Sequence, residues 1–91
     1  MYGTLHIFRR NVVNGAPVFQ VNYTFGGRSF AKVIDGEHAL RDFLLVGVGL
    51  EPKVVDGVWH QMSTGSATVD DISLSDNEAI ANGMMEAPSD F

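Results

Sequence analysis

The chain has no cysteine. Disulfides and thiolate metal sites are therefore excluded, and its 91 residues must hold together by apolar packing or by pairing with another chain. Long hydrophobic runs are missing too. The longest, "FLLVGVGL" at 43–50, is interrupted by glycine and falls far short of the ~18–20 residues that cross a bilayer. The opening "MYGTLHIFRR" lacks a basic start followed by an apolar core and a cleavage site, so no secretory leader is expected. These absences point to a soluble, cytoplasmic protein without membrane association.

Each end of the chain also lacks charge of one sign. Residues 1–34 contain Arg9, Arg10, Arg28 and Lys32 but no acid, whereas 54–91 contain seven acids and no base. The net charge is −5. Opposite ends of this kind attract each other within one small fold, or leave the basic end to meet an anionic partner. The length suits one domain, and at 45% hydrophobic and 19% charged the composition is globular rather than disordered.

What is present is a strong strand pattern. "TLHIFRR", "VFQVNYTF" and "SFAKVI" are rich in β-branched and aromatic residues and are separated at Asn14-Gly15 and Gly26-Gly27. In the second segment Phe19, Val21, Tyr23 and Phe25 alternate with Gln20, Asn22 and Thr24. Burial selects the register. A three-residue loop, Val13-Asn14-Gly15, with Gly15 left-handed in a bulge pairs Ile7 with Val21 and Leu5 with Tyr23, gathering the apolar side chains on one face. The glycines of "FGGRSF" form a two-residue turn pairing Tyr23 with Phe30. They do not cradle a phosphate, because no helix follows and the next residues alternate as a strand.

Two helices are predicted next. Asp35 would cap "GEHALRDFLLV", with Leu40, Phe43, Leu44 and Gly47 as its buried stripe and Gly47 or Gly49 as its stop. Pro52 opens "PKVVDGVWHQM", whose apolar face is Val55, Val58, Trp59 and Met62. Gly57 within it implies a close packing contact. "STGSA" at 63–67 reads as a loop and "TVDDISLS" as a short fourth strand. Ser75 and Glu78 form a capping box for a short last helix. The fold class is α+β: a three-stranded antiparallel meander with a helical hairpin on one face, then a short fourth strand and a short C-terminal helix. One domain covers 1–85, and 86–91 form a flexible tail. The expected core is Leu5, Ile7, Phe19, Val21, Tyr23, Phe25, Phe30, Ile34, Leu40, Phe43, Leu44, Val55, Trp59 and Met62.

Little in the chain points to chemistry. His38 precedes Asp42 by four residues and Asp56 precedes His60 by four, so each pair shares a helical face, but neither has a third ligand. Asp70 and Asp71, adjacent on a strand, point to opposite faces. Ser63, Thr64, Ser66 and Thr68 have no adjacent base. No catalytic residue, cofactor or metal is expected, and the protein reads as non-enzymatic.

The uncovered sheet face remains. It should carry His6, Phe8, Arg10, Val18, Gln20, Asn22, Thr24, Ser29, Ala31 and Val33, a mixture suited to docking a protein partner or a second copy of the chain. Edge strands one and three would offer a further place to pair. We therefore expect a protein-interaction domain, most simply a homodimer, using His6, Phe8, Arg10, Val18, Gln20, Asn22 and Val33. The alternative is nucleic-acid binding through the same face. Gln20 and Asn22 suit base edges, but Arg10 alone supplies little of the counterion release that drives such affinity.

Overall fold

The computed structural model describes residues 2–10, 17–74 and 76–87. Three strands open the chain as an antiparallel meander: β1 (Gly3–Arg10), β2 (Val18–Phe25) and β3 (Arg28–Asp35). The register is the one burial selects, with Leu5 opposite Tyr23, Ile7 opposite Val21 and Tyr23 opposite Phe30. Gly26 and Gly27 both have positive φ, as a tight hairpin turn requires. The expected Val13-Asn14-Gly15 loop and the Ser75 cap lie outside the described residues.

Helices cover one face of this sheet. α1 (Glu37–Asp42) runs on into a π-helical stretch, Phe43–Val48, which ends at left-handed Gly49. α2 (Pro52–Met62) starts with Pro52 at its first turn. β4 (Ser66–Ile72), α3 (Asp76–Ala81) and β5 (Met85–Ala87) complete the described chain. The sheet has five strands in the order β4-β1-β2-β3-β5. Leu5, Ile7, Phe19, Val21, Tyr23, Phe30 and Ile34 from its inner face meet Leu40, Phe43, Leu44, Val55, Val58 and Met62 in one core. Phe25 and Trp59, expected inside, are only partly buried against that core, with the Trp59 ring edge-on to Phe19.

The structure corrects several expectations. Asp35 does not cap α1, because it still belongs to β3, opposite Val18. Gly36 takes the cap position at φ 90°, a conformation that disfavours a side chain. The edges of the meander are only partly free: β4 pairs with β1 over Gly3–Phe8, and β5 pairs with β3 over Ser29–Ala31, leaving 32–35 of β3 with no strand on its outer side among the described residues. Ser66 and Ala67 belong to β4 rather than to the loop, while Glu86 and Ala87 belong to β5 rather than to a tail.

Gly57 makes no close packing contact; a Cβ there would meet nothing within 4 Å. Because the glycine only raises the entropy cost of forming α2, Gly57→Ala is expected to stabilise the fold by about 1 kcal/mol. A thermal melt should rise by roughly 4–8 °C, and an unchanged or lower midpoint would show that the glycine has another role.

Candidate functional site

The strand registers arrange the outer face of the sheet in rows. Thr68, His6, Asn22, Ala31 and Met85 lie side by side across it. The next row is Ser66, Phe8, Gln20 and Val33, and beyond it come Arg10, Val18 and Asp35. On the other side of the His6 row stand Thr4, Thr24 and Ser29. All seven residues singled out from the sequence, His6, Phe8, Arg10, Val18, Gln20, Asn22 and Val33, therefore share one face. Sequence reasoning missed Thr4, which β1 itself places there opposite Thr24, and Thr68, Asp70 and Met85, which join the face only because β4 and β5 flank the meander.

A polar track runs along β2 between apolar shoulders. The Arg10 guanidinium donates to Gln20 Oε1 at 3.3 Å, and Gln20 Nε2 donates to Asn22 Oδ1 at 3.2 Å. This chain orients both amides. Thr4 Oγ1 donates to Asp70 Oδ1 at 3.2 Å, which places the Asp70 carboxylate on this face. On one shoulder the His6 and Phe8 rings lie nearly parallel, with centroids 6.3 Å apart. On the other, Val33 is 58% exposed and Met85 77%, while Phe8 across the groove is 41% exposed. A shallow groove lies over β2, lined by His6, Phe8, Gln20, Asn22, Thr24 and Ala31. A second hollow, beside Val33, is lined by Gln20, Ala31, Lys32, Val33, Gly83 and Met85.

The other basic residues of the N-terminal third are placed elsewhere. Arg28 pairs with Glu86 and lies over the Phe30 ring. Lys32 donates to the Asn82 carbonyl at 2.7 Å and sits over Phe43. Arg9 falls in register with Phe19, on the helix-covered side. Arg10 is thus the one of the four on the open face, as expected.

Several of the side chains considered for chemistry have structural partners, and Thr68, expected to have no base beside it, has its Oγ1 3.4 Å from His6 Nδ1. Ser63 and Thr64 donate to the His60 and Gln61 carbonyls at 2.8 Å each, closing the end of α2. His38 and Asp42 form an exposed contact of 3.6 Å, and Asp56 lies 3.7 Å from Arg41. Asp70 and Asp71 do not sit on a regular strand: the β1–β4 register shifts there, and Asp71 has φ 62°. Among the described residues, no three potential metal ligands converge. Burial pushes the Tyr23 phenol above the usual tyrosine range, a hydrogen bond with the Leu74 backbone partly offsets this, and the charge of Glu78 raises it further. That hydroxyl is locked against backbone in the core.

The outer edge of β4 is interrupted at two places. Gln61 Oε1 accepts from the Thr68 backbone N–H at 3.1 Å, and the irregularity at Asp71 interrupts the strand beyond it. No family model, curated protein or solved structure matches the chain at a significant level. No helix among the described residues is long and apolar enough to cross a membrane.

Proposed function

We propose that this chain is a small, non-enzymatic, cytoplasmic protein-interaction domain that self-associates through the open face of its sheet. The observation that carries this reading is the layout of that face. Phe8 stands on one shoulder, Val33 and Met85 on the other, and the hydrogen-bonded Gln20–Asn22 track lies between them. An apolar surface with polar groups at fixed positions is the composition of the central part of a protein interface. Charge is sparse there. The strand registers and the Thr4 hydrogen bond put Arg10, Asp35 and Asp70 at its margins.

The test is molar mass by light scattering over a concentration series. Wild type should approach twice 9.9 kDa as concentration rises. Phe8→Asp should remain monomeric at the same concentrations, because it buries a carboxylate against the partner. Its thermal midpoint should stay within a few degrees of wild type, since Phe8 contributes to the surface rather than the core. A wild-type monomer throughout, or a Phe8→Asp dimer of unchanged strength, would count against the reading. Loss of folding in the variant would place Phe8 in the core.

A further inference from the structure

If the chain self-associates through this face, the row layout also determines how the two copies meet. Two identical faces related by a two-fold axis can pack against each other only if the axis lies between the sheets, parallel to both. Aligned packing, with the two sets of strands nearly parallel or antiparallel, requires that axis to run either along the strands or across them.

Consider the axis that crosses the strands between the His6 row and the Phe8 row. Each strand then lies over its counterpart with its direction reversed. Phe8 comes over the partner's His6, Gln20 over the partner's Asn22, and Val33 over the partner's Ala31. Aromatic meets aromatic, amide meets amide and aliphatic meets aliphatic.

The seat that the crossing axis gives Met85 decides between the two, and the carboxylate it gives Arg10 then tells them apart by experiment. Met85 projects from β5 in the His6 row, and β5 pairs with β3 only as far as Ala31. Beside Val33, where a further β5 residue would lie, there is instead the hollow lined by Gln20, Ala31, Lys32, Val33, Gly83 and, at its border, Met85 of the same copy. Reversal about the crossing axis carries Met85 of each copy over that hollow in the other. It also carries Arg10 over Thr4 and Asp70, which are joined by their own hydrogen bond. An axis along β2 would set Arg10 over the partner's Asp35 instead. It would place Met85 on the Thr68 hydroxyl and leave the hollow empty.

We infer that two copies pack face to face about a two-fold axis crossing the strands, with Met85 seated in the partner's hollow and Arg10 against the partner's Asp70. Five strands at ~4.8 Å spacing, and about seven residues at ~3.3 Å, make a flat footprint of roughly 500 Å² per copy. That is below the ~800 Å² per partner of a standard interface, so the dimer should dissociate on dilution.

Charge reversal tests the arrangement by sedimentation across a dilution series. Arg10→Asp and Asp70→Arg should each weaken the dimer on the order of tenfold, because symmetry makes every change twice and each rim pair is worth a few-fold. The double reversal R10D/D70R should recover to within about threefold of wild type, while R10D/D35R should not. Met85→Asp should weaken the dimer more than either single reversal, because it sets a charge in an apolar hollow. Rescue of R10D by D35R would assign the axis along the strands, overturning the arrangement while self-association stands. A dimer indifferent to both single reversals would overturn it as well. A wild-type monomer at every concentration would remove the self-association reading itself.

Discussion

Tyr23→Phe is expected to lower stability by about 2 kcal/mol, although it removes a single oxygen atom. The Tyr23 side chain is fully buried. Its hydroxyl lies 2.9 Å from the Ile72 carbonyl and 3.2 Å from that of Leu74, and it accepts from the Leu74 backbone N–H at 3.2 Å. One phenol thus ties the segment after β4 to the middle of β2. Without it, the Leu74 N–H and a carbonyl lose their partner inside the core, and an unsatisfied buried group costs roughly 1–3 kcal/mol. For a domain of this size the thermal midpoint should fall by about 10 °C.

The same substitution has a pH signature. Because burial raises its pKa, folded Tyr23 keeps its proton at a pH where the unfolded chain releases it. The stabilising contribution is complete below the ordinary tyrosine value of about 10 and is lost as pH rises from there through the folded value. Urea unfolding between pH 8 and 11 should show stability falling at the alkaline end. The fall should be shallower in Tyr23→Phe. A variant as stable as wild type at neutral pH would show that the hydroxyl bonds contribute nothing net.

Gly3→Ala should cost still more relative to its size, on the order of 2–3 kcal/mol. A methyl group at Gly3 would stand 2.5 Å from the Thr24 carbonyl oxygen and 2.8 Å from both Phe25 Cβ and Tyr23 Cε1. The nearest of these is backbone, which no rotamer change can relieve. β1 would have to move away from β2 at the point where it also meets Ile72 of β4. Chemical denaturation should show the loss. A near-neutral Gly3→Ala would mean that β1 starts later than Gly3. Set beside Gly57→Ala, it makes one substitution with opposite signs, decided by the space around each glycine.

Those two glycines show where sequence reading stops. Both stand in regular segments, Gly3 at the start of β1 and Gly57 inside α2, and a packing contact was expected at Gly57. The close approach is at Gly3 instead, because it depends on how β1 crosses Tyr23 and Phe25, which are distant in sequence. Asp35 and Gly36 tell a similar story. Asp35 has the side chain of a helix cap, but the ladder with Val18 holds it in β3, so the cap falls to the residue able to adopt positive φ.

The open face was legible in outline for the opposite reason. In 18–25 every second side chain is apolar, and period-two alternation assigns a face without reference to any distant partner. Once Tyr23 and Val21 belong to the core, Gln20 and Asn22 must point outward. His6, Phe8 and Arg10 follow through the register that matches apolar to apolar across β1 and β2. Met85 carried no such signal. Three residues of strand are too few to show a period, and β5 is a strand only because Ser29–Ala31 lies open beside it.

By itself, then, the sequence determined the meander, its register, most of the buried helix positions and most of the meander residues on the uncovered side, because each follows from periodicity and local turn chemistry. Only the tertiary structure decided which strands flank β1 and β3, how Tyr23 is satisfied by a chain segment 49 residues away, and where the hollow beside Val33 lies. Local pattern states which way a side chain points. Its neighbours are chosen by long-range pairing, which the pattern of one strand does not encode.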